Sequence, residues 1–219
     1  MGKIWDVLTN KEPGAIGIGA MIVFIAMVLV AGIAAAVFIQ TAGTIEVQAV
    51  KTGTDTRSEV STGIRVVDIG GKVNNDLITN ITISIKGRAG AGDINLNRTV
   101  LELSDGSMKV LLSYNSSDQY HFNASIDDDG QVFGTSNWTQ AVNQYGIIVL
   151  EDVDGSITQA SPVINRGDSV MLTISTNACF GGLQRRQDIH GFILPEIGSR
   201  GIFAFRTPSL FSDTVYDLY

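Results

Sequence analysis

Two short acidic segments bring carboxylates close together in the sequence. They are Asp127-Asp128-Asp129-Gly130 and Asp152-Val153-Asp154-Gly155. Hard cations such as Ca²⁺ are bound by clustered oxygen ligands, and each segment offers alternate carboxylates with a glycine for a sharp turn. The pairs are Asp127 with Asp129, and Asp152 with Asp154. Neither segment has the downstream Glu at the EF-hand spacing, and Asp and Gly commonly form solvated β-turns. A calcium site and a plain turn therefore remain alternatives, and we expect no other cofactor.

Five asparagines stand in N-x-S/T sequons, the acceptors of N-glycosylation. They are Asn80, Asn97, Asn115, Asn123 and Asn137, and none has Pro in the middle position. The chain has 12 Asn and 34 Ser plus Thr among 219 residues, so chance would give about two sequons. The excess predicts that at least one is glycosylated, the alternative being an accident of Thr-rich strands meeting Asn-rich turns. Asn123 and Asn137, beside turn signals, are the favoured exposed acceptors, and Asn80, at an expected strand start, is a further candidate.

Residues that commonly act as nucleophile or general base are few. His121 and His190 are the two histidines, Cys179 is the single cysteine, and no HExxH, GxSxG or CxxC motif occurs. A catalytic set can assemble from residues distant in sequence, but nothing here indicates one, and we predict that the protein is not an enzyme. A single cysteine also excludes an internal disulfide.

The overall charge is acidic, with 15 Lys and Arg against 22 Asp and Glu and a formal net charge of −7. Nucleic-acid binding needs a basic surface that neutralises phosphates, so we expect no nucleic-acid partner. Charged residues make up only 17% of the chain, which argues against disorder. The 24 Gly and 4 Pro fit a β-domain with many turns.

A long apolar segment begins near the N-terminus. No charged residue lies between Glu12 and Glu46, and residues 15–39 are almost wholly apolar. A helix of these residues, at roughly 1.5 Å each, spans about 37 Å and can cross a bilayer core of ~30 Å. Its Ile, Leu, Val and Phe residues favour membrane insertion by about 4–8 kcal/mol. Because the segment has no polar stripe, a buried core helix is the weaker alternative.

Small residues recur along this segment at a spacing of four. The pairs are Ala31 with Ala35, and Gly32 with Ala36. Small residues one helical turn apart let two helix backbones approach closely. We therefore predict helix–helix packing at these positions, the alternative being that Ala and Gly are simply frequent in membrane helices.

The N-terminal flank differs from an ordinary secretory signal. Its two Lys and two acidic side chains sum to zero, and a turn-forming Pro13-Gly14 pair stands before the apolar segment rather than after it. A processing site at this turn would leave the apolar helix on the mature chain.

Beyond Thr44 the pattern favours strands, although the polar residues 44–62 either extend the helix or bridge to the next domain. Residues 81–85 and 170–175 alternate apolar with polar, and the apolar run 146–150 predicts a strand buried on both faces. Residues 104–107, Ser-Asp-Gly-Ser, predict a tight hairpin. We predict an α+β protein, a long hydrophobic N-terminal α-helix followed by an all-β sandwich or barrel-like head of roughly eight to ten strands.

Both ends of the chain resemble the archaeal flagellins, or archaellins. The N-terminal match is Gly14-Ala15-Ile16-Gly17-Ile18-Gly19 followed by the apolar run 22–31. The C-terminal match is Gly198-Ser199-Arg200-Gly201-Ile202-Phe203 and Phe205-Arg206-Thr207-Pro208-Ser209-Leu210. The middle agrees in character only. Gly19 stands where bacterial type IV pilins commonly carry Glu, which favours an archaellin over a pilin.

The resemblance implies a precursor that is processed at the membrane. Residues 1–14 would be a class III, prepilin-like leader that a membrane aspartic leader peptidase removes between Gly14 and Ala15. The family usually has basic residues before the cleavage glycine, whereas this chain has Lys11-Glu12-Pro13. Residues 15–60 would be the helix, in the membrane before assembly and in the filament core afterwards. Residues 61–219 would be the β-sandwich head.

The function implied is that of a structural subunit of the extracellular archaeal flagellum (archaellum), a motility filament. Its partners would be identical or paralogous subunits, the leader peptidase, and a membrane assembly and motor complex. Family members are often glycosylated. An adhesive type IV-like pilin is the alternative, followed by a membrane-anchored enzyme or solute-binding protein.

Overall fold

The computed structural model describes residues 12–117, 122–123, 131–134, 138 and 142–219. The chain divides into two compact units, Met1–Thr54 and Asp55–Tyr219. Helix α1, Glu12–Ser61, forms the described part of the first unit and ends within the second.

Helix α1 begins earlier and ends later than the apolar segment alone. Pro13 and Gly14 lie in its first turn, so the turn expected at this pair was wrong. Proline is tolerated in a first turn because a backbone N–H at that position would have no acceptor within the helix, so its absence costs no hydrogen bond. The polar residues after 40 do extend the helix. The hydroxyls of Thr41 and Thr44 donate to the backbone oxygens of Val37 and Thr41, at 2.6 and 2.8 Å, so these side chains need no outside partner.

Among the described residues, the rest of the second unit contains strands, one short α-helix, α2, Thr176–Phe180, and two 3₁₀ helices, Leu96–Arg98 and Val132–Gly134. The strands are β1 (Ile64–Asn74), β2 (Leu77–Gly87), β3 (Ile94–Asn95), β4 (Val100–Ser104), β5 (Lys109–Tyr114), β6 (Phe122–Asn123), β7 (Gln144–Glu151), β8 (Val163–Ile164), β9 (Ser169–Ser175), β10 (Asp188–Leu194), β11 (Gly201–Arg206) and β12 (Val215–Asp217). The described residues thus hold more strands than expected, because strands of two or three residues are too short to show a sequence period.

Ten of these strands form one sheet, with the order β11-β10-β4-β5-β7-β9-β2-β1-β12 and β6 also beside β7. The pairs of β7 with β5 and with β6 are parallel, and the other pairs in this sheet are antiparallel. Strands β3 and β8 form a separate small ladder. The expected hairpin joins β4 to β5 with Ser104 opposite Lys109, and the side chain of Asp105 accepts the N–H groups of Ser107 and Met108.

The sheet curls so that its two ends meet. The N–H of Ile64, which begins β1, donates to the oxygen of Ser199 at 3.2 Å, and the N–H of Ser199 donates to the oxygen of Thr62 at 2.8 Å. Gly198 has a φ of +98°, and a Cβ there would lie 2.2 Å from the oxygen of Thr62. Only glycine adopts this conformation without strain and allows so close an approach. The head is therefore barrel-like, as expected.

The inner face of the curled sheet forms the core of the head. Ile64, Ile83 and Leu172 are fully buried there, on β1, β2 and β9. Strand β7 is buried on both faces from Tyr145 to Val149, which confirms the prediction made from its continuous apolar run. The head therefore carries a hydrophobic core of its own.

Candidate functional site

The surface of α1 is apolar over residues 15–39, and isolated hydrophobic side chains continue along the polar part that follows. Every large hydrophobic side chain from Ile16 to Val60 is more than half exposed, from 53% at Ile25 to 77% at Val60. The stretch Ile16–Ser61 contains a window with a mean hydropathy of 3.0, long enough to cross a membrane. Water is a poor solvent for a continuous apolar surface of this length. The helix is therefore built to contact lipid or other protein.

The small residues predicted to pack against another helix lie on this surface. Ala31, Gly32, Ala35 and Ala36 are all exposed, and a Cβ added at Gly32 would meet nothing within 4 Å. Residues four apart lie on one face of a helix. Each small pair therefore leaves the backbone of α1 open to close approach, and their packing role stays a prediction. Gly14 and Ala15, the predicted cleavage residues, lie in the first helical turn. Most of the predicted leader, residues 1–11, falls outside the described residues.

The head brings three carboxylates together at one turn. Asp152 and Asp154 follow β7, and Asp168 comes directly before β9; one oxygen of each lies within 4.8 Å of the others. Asp168 is buried, Asp152 is half-buried and Asp154 is exposed. Sequence reasoning missed Asp168 because only the antiparallel pairing of β7 with β9 places it beside the other two. Asp127 and Asp129, the other predicted pair, lie outside the described residues.

Hydrogen bonds within the turn already hold these carboxylates. Asp168 accepts the N–H of Val153 at 3.1 Å and that of Asn165 at 2.9 Å, and Asp152 accepts the N–H of Gly155 at 2.8 Å. Hydrogen bonds from Ser156 and then Asn165 lower the pKa of Asp154. The three carboxylates are thus organised as a turn by hydrogen bonds from neighbouring residues, and both original alternatives, a stable turn and a Ca²⁺ site, remain predictions.

The five sequons differ in their surroundings. Asn97 is exposed and Asn115 is half-buried. Asn123, expected to be exposed, is half-buried in β6. Asn80 lies inside β2 between β1 and β9, opposite Lys72 and Ser175, and is half-buried. The expectation that Asn80 stands exposed at a strand start was therefore wrong, because β2 begins at Leu77. Asn137 lies outside the described residues.

Cys179 and His190, the two catalytic candidates that the structure describes, lie in different surroundings. Cys179 is buried in α2, its Sγ donates to the oxygen of Val142 at 3.3 Å, and burial raises the pKa of its thiol to about 11. A thiol with this pKa is protonated near neutral pH and is a poor nucleophile. His190 is exposed on β10, and His121 lies outside the described residues.

Comparisons with known proteins agree with this architecture. Residues 14–205 match the family model described as archaeal-type flagellin. The chain is 39% identical to flagellin B2 of Methanocaldococcus jannaschii over 214 aligned residues. The alignment covers 97% of this chain and 96% of the relative. It is also 39% identical over 212 residues to flagellin B4 of Pyrococcus abyssi, with 91% and 95% covered.

Solved structures share the fold. The crystal structure of archaeal flagellin FlaB1 from M. jannaschii matches with a TM-score of 0.65 at 26% identity, covering 72% of this chain and 96% of that one. A chain of the archaeal flagellum of Methanospirillum hungatei matches with a TM-score of 0.63 at 15% identity, covering 92% and 98%. The resemblance read from the two ends of the sequence is confirmed. This chain belongs to the archaeal-type flagellin family and is a structural subunit of the archaeal flagellum, a filament on the cell surface.

Proposed function

We propose that α1 is the polymerising element of this subunit. The observation that carries the proposal is the exposure of every large hydrophobic side chain along the helix. Burial of apolar surface contributes about 25 cal/mol per Å², and the same surface is present on every copy of the chain. Because contacts between identical subunits that do not close into a ring generate an open helical polymer, identical or paralogous subunits would bury α1 in the filament core.

Before assembly, α1 would reside in the cytoplasmic membrane. The length and mean hydropathy of the stretch Ile16–Ser61 support this step, and lipid would cover the same side chains that neighbouring subunits cover later. A prepilin-type leader peptidase would cut between Gly14 and Ala15, and a membrane assembly and motor complex would drive insertion into the filament and its movement. The head would serve as a structural domain without catalysis, and the buried, protonated thiol of Cys179 supports this.

A matched pair of substitutions in α1 tests this role. Gly32→Leu combined with Ala35→Leu adds bulk where small residues would let helices meet, whereas Ile33→Leu, one residue away, leaves the bulk unchanged. Leucine is favourable in lipid, so membrane insertion should persist in both variants. We expect the double variant to lose most filaments because its helices are forced apart, and the control to retain them. Electron microscopy of sheared filaments and membrane fractionation measure the two effects.

The same preparation tests the processing step. Filament subunits should begin Ala-Ile-Gly-Ile-Gly-Ala when their N-terminus is sequenced. Normal filaments from the double leucine variant would overturn the packing role of α1. A subunit that begins at Met1 would overturn the cleavage step.

A further inference from the structure

Three sequons have both the asparagine and the hydroxyl residue within the described part of the chain. They are Asn80 with Thr82, Asn97 with Thr99, and Asn115 with Ser117. The sequon requires a hydroxyl residue two positions after the asparagine, so an enzyme that modifies a folded protein needs access to both side chains. The accessibility of the second residue therefore separates sequons that look alike in sequence.

In the first two sequons the threonine is buried. Thr82 is 5% exposed in β2, and its Oγ1 donates to the oxygen of Gly70 at 3.4 Å. Thr99 is 1% exposed, and its Oγ1 donates to the oxygen of Asn95 at 3.0 Å. The oxygen of Thr99 also accepts the hydroxyl of the buried Tyr145 at 3.2 Å. Exposing either threonine therefore requires opening the sheet or the core around Tyr145.

The third sequon lies on an ordered surface turn. The side-chain oxygen of Asn115 accepts the N–H of Ser117 at 3.1 Å, and its Nδ2 has no hydrogen-bond partner among the described residues. Ser117 is exposed. Gln159 holds the turn in place, because its Nε2 donates to the backbone oxygen of Ser116 at 3.3 Å and its backbone oxygen accepts the hydroxyl of Tyr114 at 3.0 Å.

We propose that, of these three, Asn115 is the sequon at which the folded head accepts an N-linked glycan, whereas Asn80 and Asn97 accept one only before the head folds. The donor is a glycan whose anomeric carbon is bonded to a lipid-linked phosphate. Nδ2 of Asn115 forms a C–N bond to that carbon, the C–O bond to the phosphate breaks, and the lipid phosphate leaves with the electron pair. One amide proton passes to a base, and nothing is oxidised or reduced.

Asn97 is the critical comparison for Asn115, since the side chain of Asn97 is the more exposed of the two. If exposure of the asparagine alone decided acceptance, Asn97 would be the better site. If the hydroxyl residue must also be accessible, Asn115 is the better site. Native proteins populate unfolded forms at fractions of roughly 10⁻³ to 10⁻⁶, so a sequon that depends on unfolding is disfavoured strongly.

The test uses the purified full chain, folded in detergent, with an archaeal oligosaccharyltransferase and its lipid-phosphate-linked glycan donor. Synthetic peptides covering residues 77–84, 94–101 and 112–119 serve as unfolded references, and peptide mass spectrometry measures occupancy at each asparagine. Asn115 in the folded chain should exceed Asn80 and Asn97 by more than about tenfold, given the small unfolded fraction. All three peptides should be accepted.

Two variants at Ser117 test whether modification of Asn115 requires the hydroxyl of residue 117. Ser117→Ala should abolish modification of Asn115 while leaving the circular dichroism spectrum unchanged, and Ser117→Thr should retain it. Occupancy of Asn97 in the folded chain comparable with that of Asn115 would overturn the proposal. So would an unmodified Asn115 in the folded chain, whether or not its peptide is accepted.

Discussion

Helix α1 and the head are both rich in aliphatic residues, yet they bury them differently. The side chain of Ile25 on α1 is 53% exposed, whereas that of Ile83 on β2 is fully buried. The strands of a curled sheet face one another across a shared interior, so the head covers its own apolar residues. One helix that is apolar on all sides has no such interior. The core of the head is therefore intramolecular, and the burial of α1 requires lipid or other subunits.

The largest expected effect comes from separating the two regions. A protein comprising residues 62–219 should be soluble, β-rich and monomeric by sedimentation, because it keeps the core and lacks the apolar helix. The full chain without lipid or detergent should associate. Filaments formed by residues 62–219 alone would show that the head, and not α1, drives polymerisation.

Removing one isoleucine from each region sharpens the comparison. Ile83→Ala should destabilise the head by about 2–5 kcal/mol, since it leaves a cavity in a packed core. The matched Ile25→Ala in the full chain should change unfolding of the head by less than about 0.5 kcal/mol, as exposed sites usually do. Chemical denaturation followed by near-ultraviolet circular dichroism measures both. Equal losses would contradict the separation of the two regions.

A polar contact in the core of the head gives a smaller effect. The hydroxyl of Tyr145 is fully buried and donates to the oxygens of Leu96 and Thr99, at 2.7 and 3.2 Å. Tyr145→Phe should cost about 1–2 kcal/mol because the oxygen of Thr99 loses its partner in a buried site. Burial also raises the pKa of Tyr145, so its phenol should ionise only when the head unfolds.

The control for this prediction is Tyr114→Phe. The hydroxyl of Tyr114 donates to the oxygen of Gln159 nearer the surface, so its loss should cost less than that of Tyr145. Denaturation midpoints of the two variants decide the order, and a larger loss at Tyr114 would contradict it.

The carboxylate turn of Asp152, Asp154 and Asp168 should respond weakly to calcium. If the turn binds Ca²⁺, chelation lowers the melting temperature of the head, and a concentration ten times the dissociation constant adds about 1.4 kcal/mol. Asp152→Asn should reduce this response. Thermal unfolding with and without chelator measures it, and an unchanged midpoint would assign the three carboxylates to the turn alone.

The smallest expected effect is the pH dependence of Asp154. Its pKa is lowered in the folded head by hydrogen bonds from Ser156 and Asn165. A lowered folded pKa stabilises the head above the unfolded pKa, near 4, and this contribution is lost as the pH falls through the folded pKa. Asp154→Asn should therefore melt slightly lower than the wild type at pH 6, with the difference shrinking as the pH falls through the lowered folded pKa of Asp154. A constant difference across this range would point to packing rather than charge.

Local pattern predicted the parts of this structure that depend on neighbouring residues. The apolar run before Gln40 predicted the N-terminal half of α1. The Ser-Asp-Gly-Ser stretch predicted the β4–β5 turn, and the apolar run in β7 predicted burial on both faces. The short strands escaped prediction because two residues show no period. Pro13 misled because the same residue suits both a turn and a first helical turn.

The sequence by itself determined that this chain has an apolar helix in need of partners and a separate β-rich head, and its two ends identified the family. Each of these properties depends on residues that are consecutive in the chain, so the sequence is sufficient to predict it. The tertiary structure alone decided that Asp168 joins Asp152 and Asp154, and that the hydroxyls of Thr82 and Thr99 are buried while Ser117 is exposed. These facts depend on which distant strands pair and how the sheet curls, and the energy of that pairing is shared among many residues far apart in the sequence.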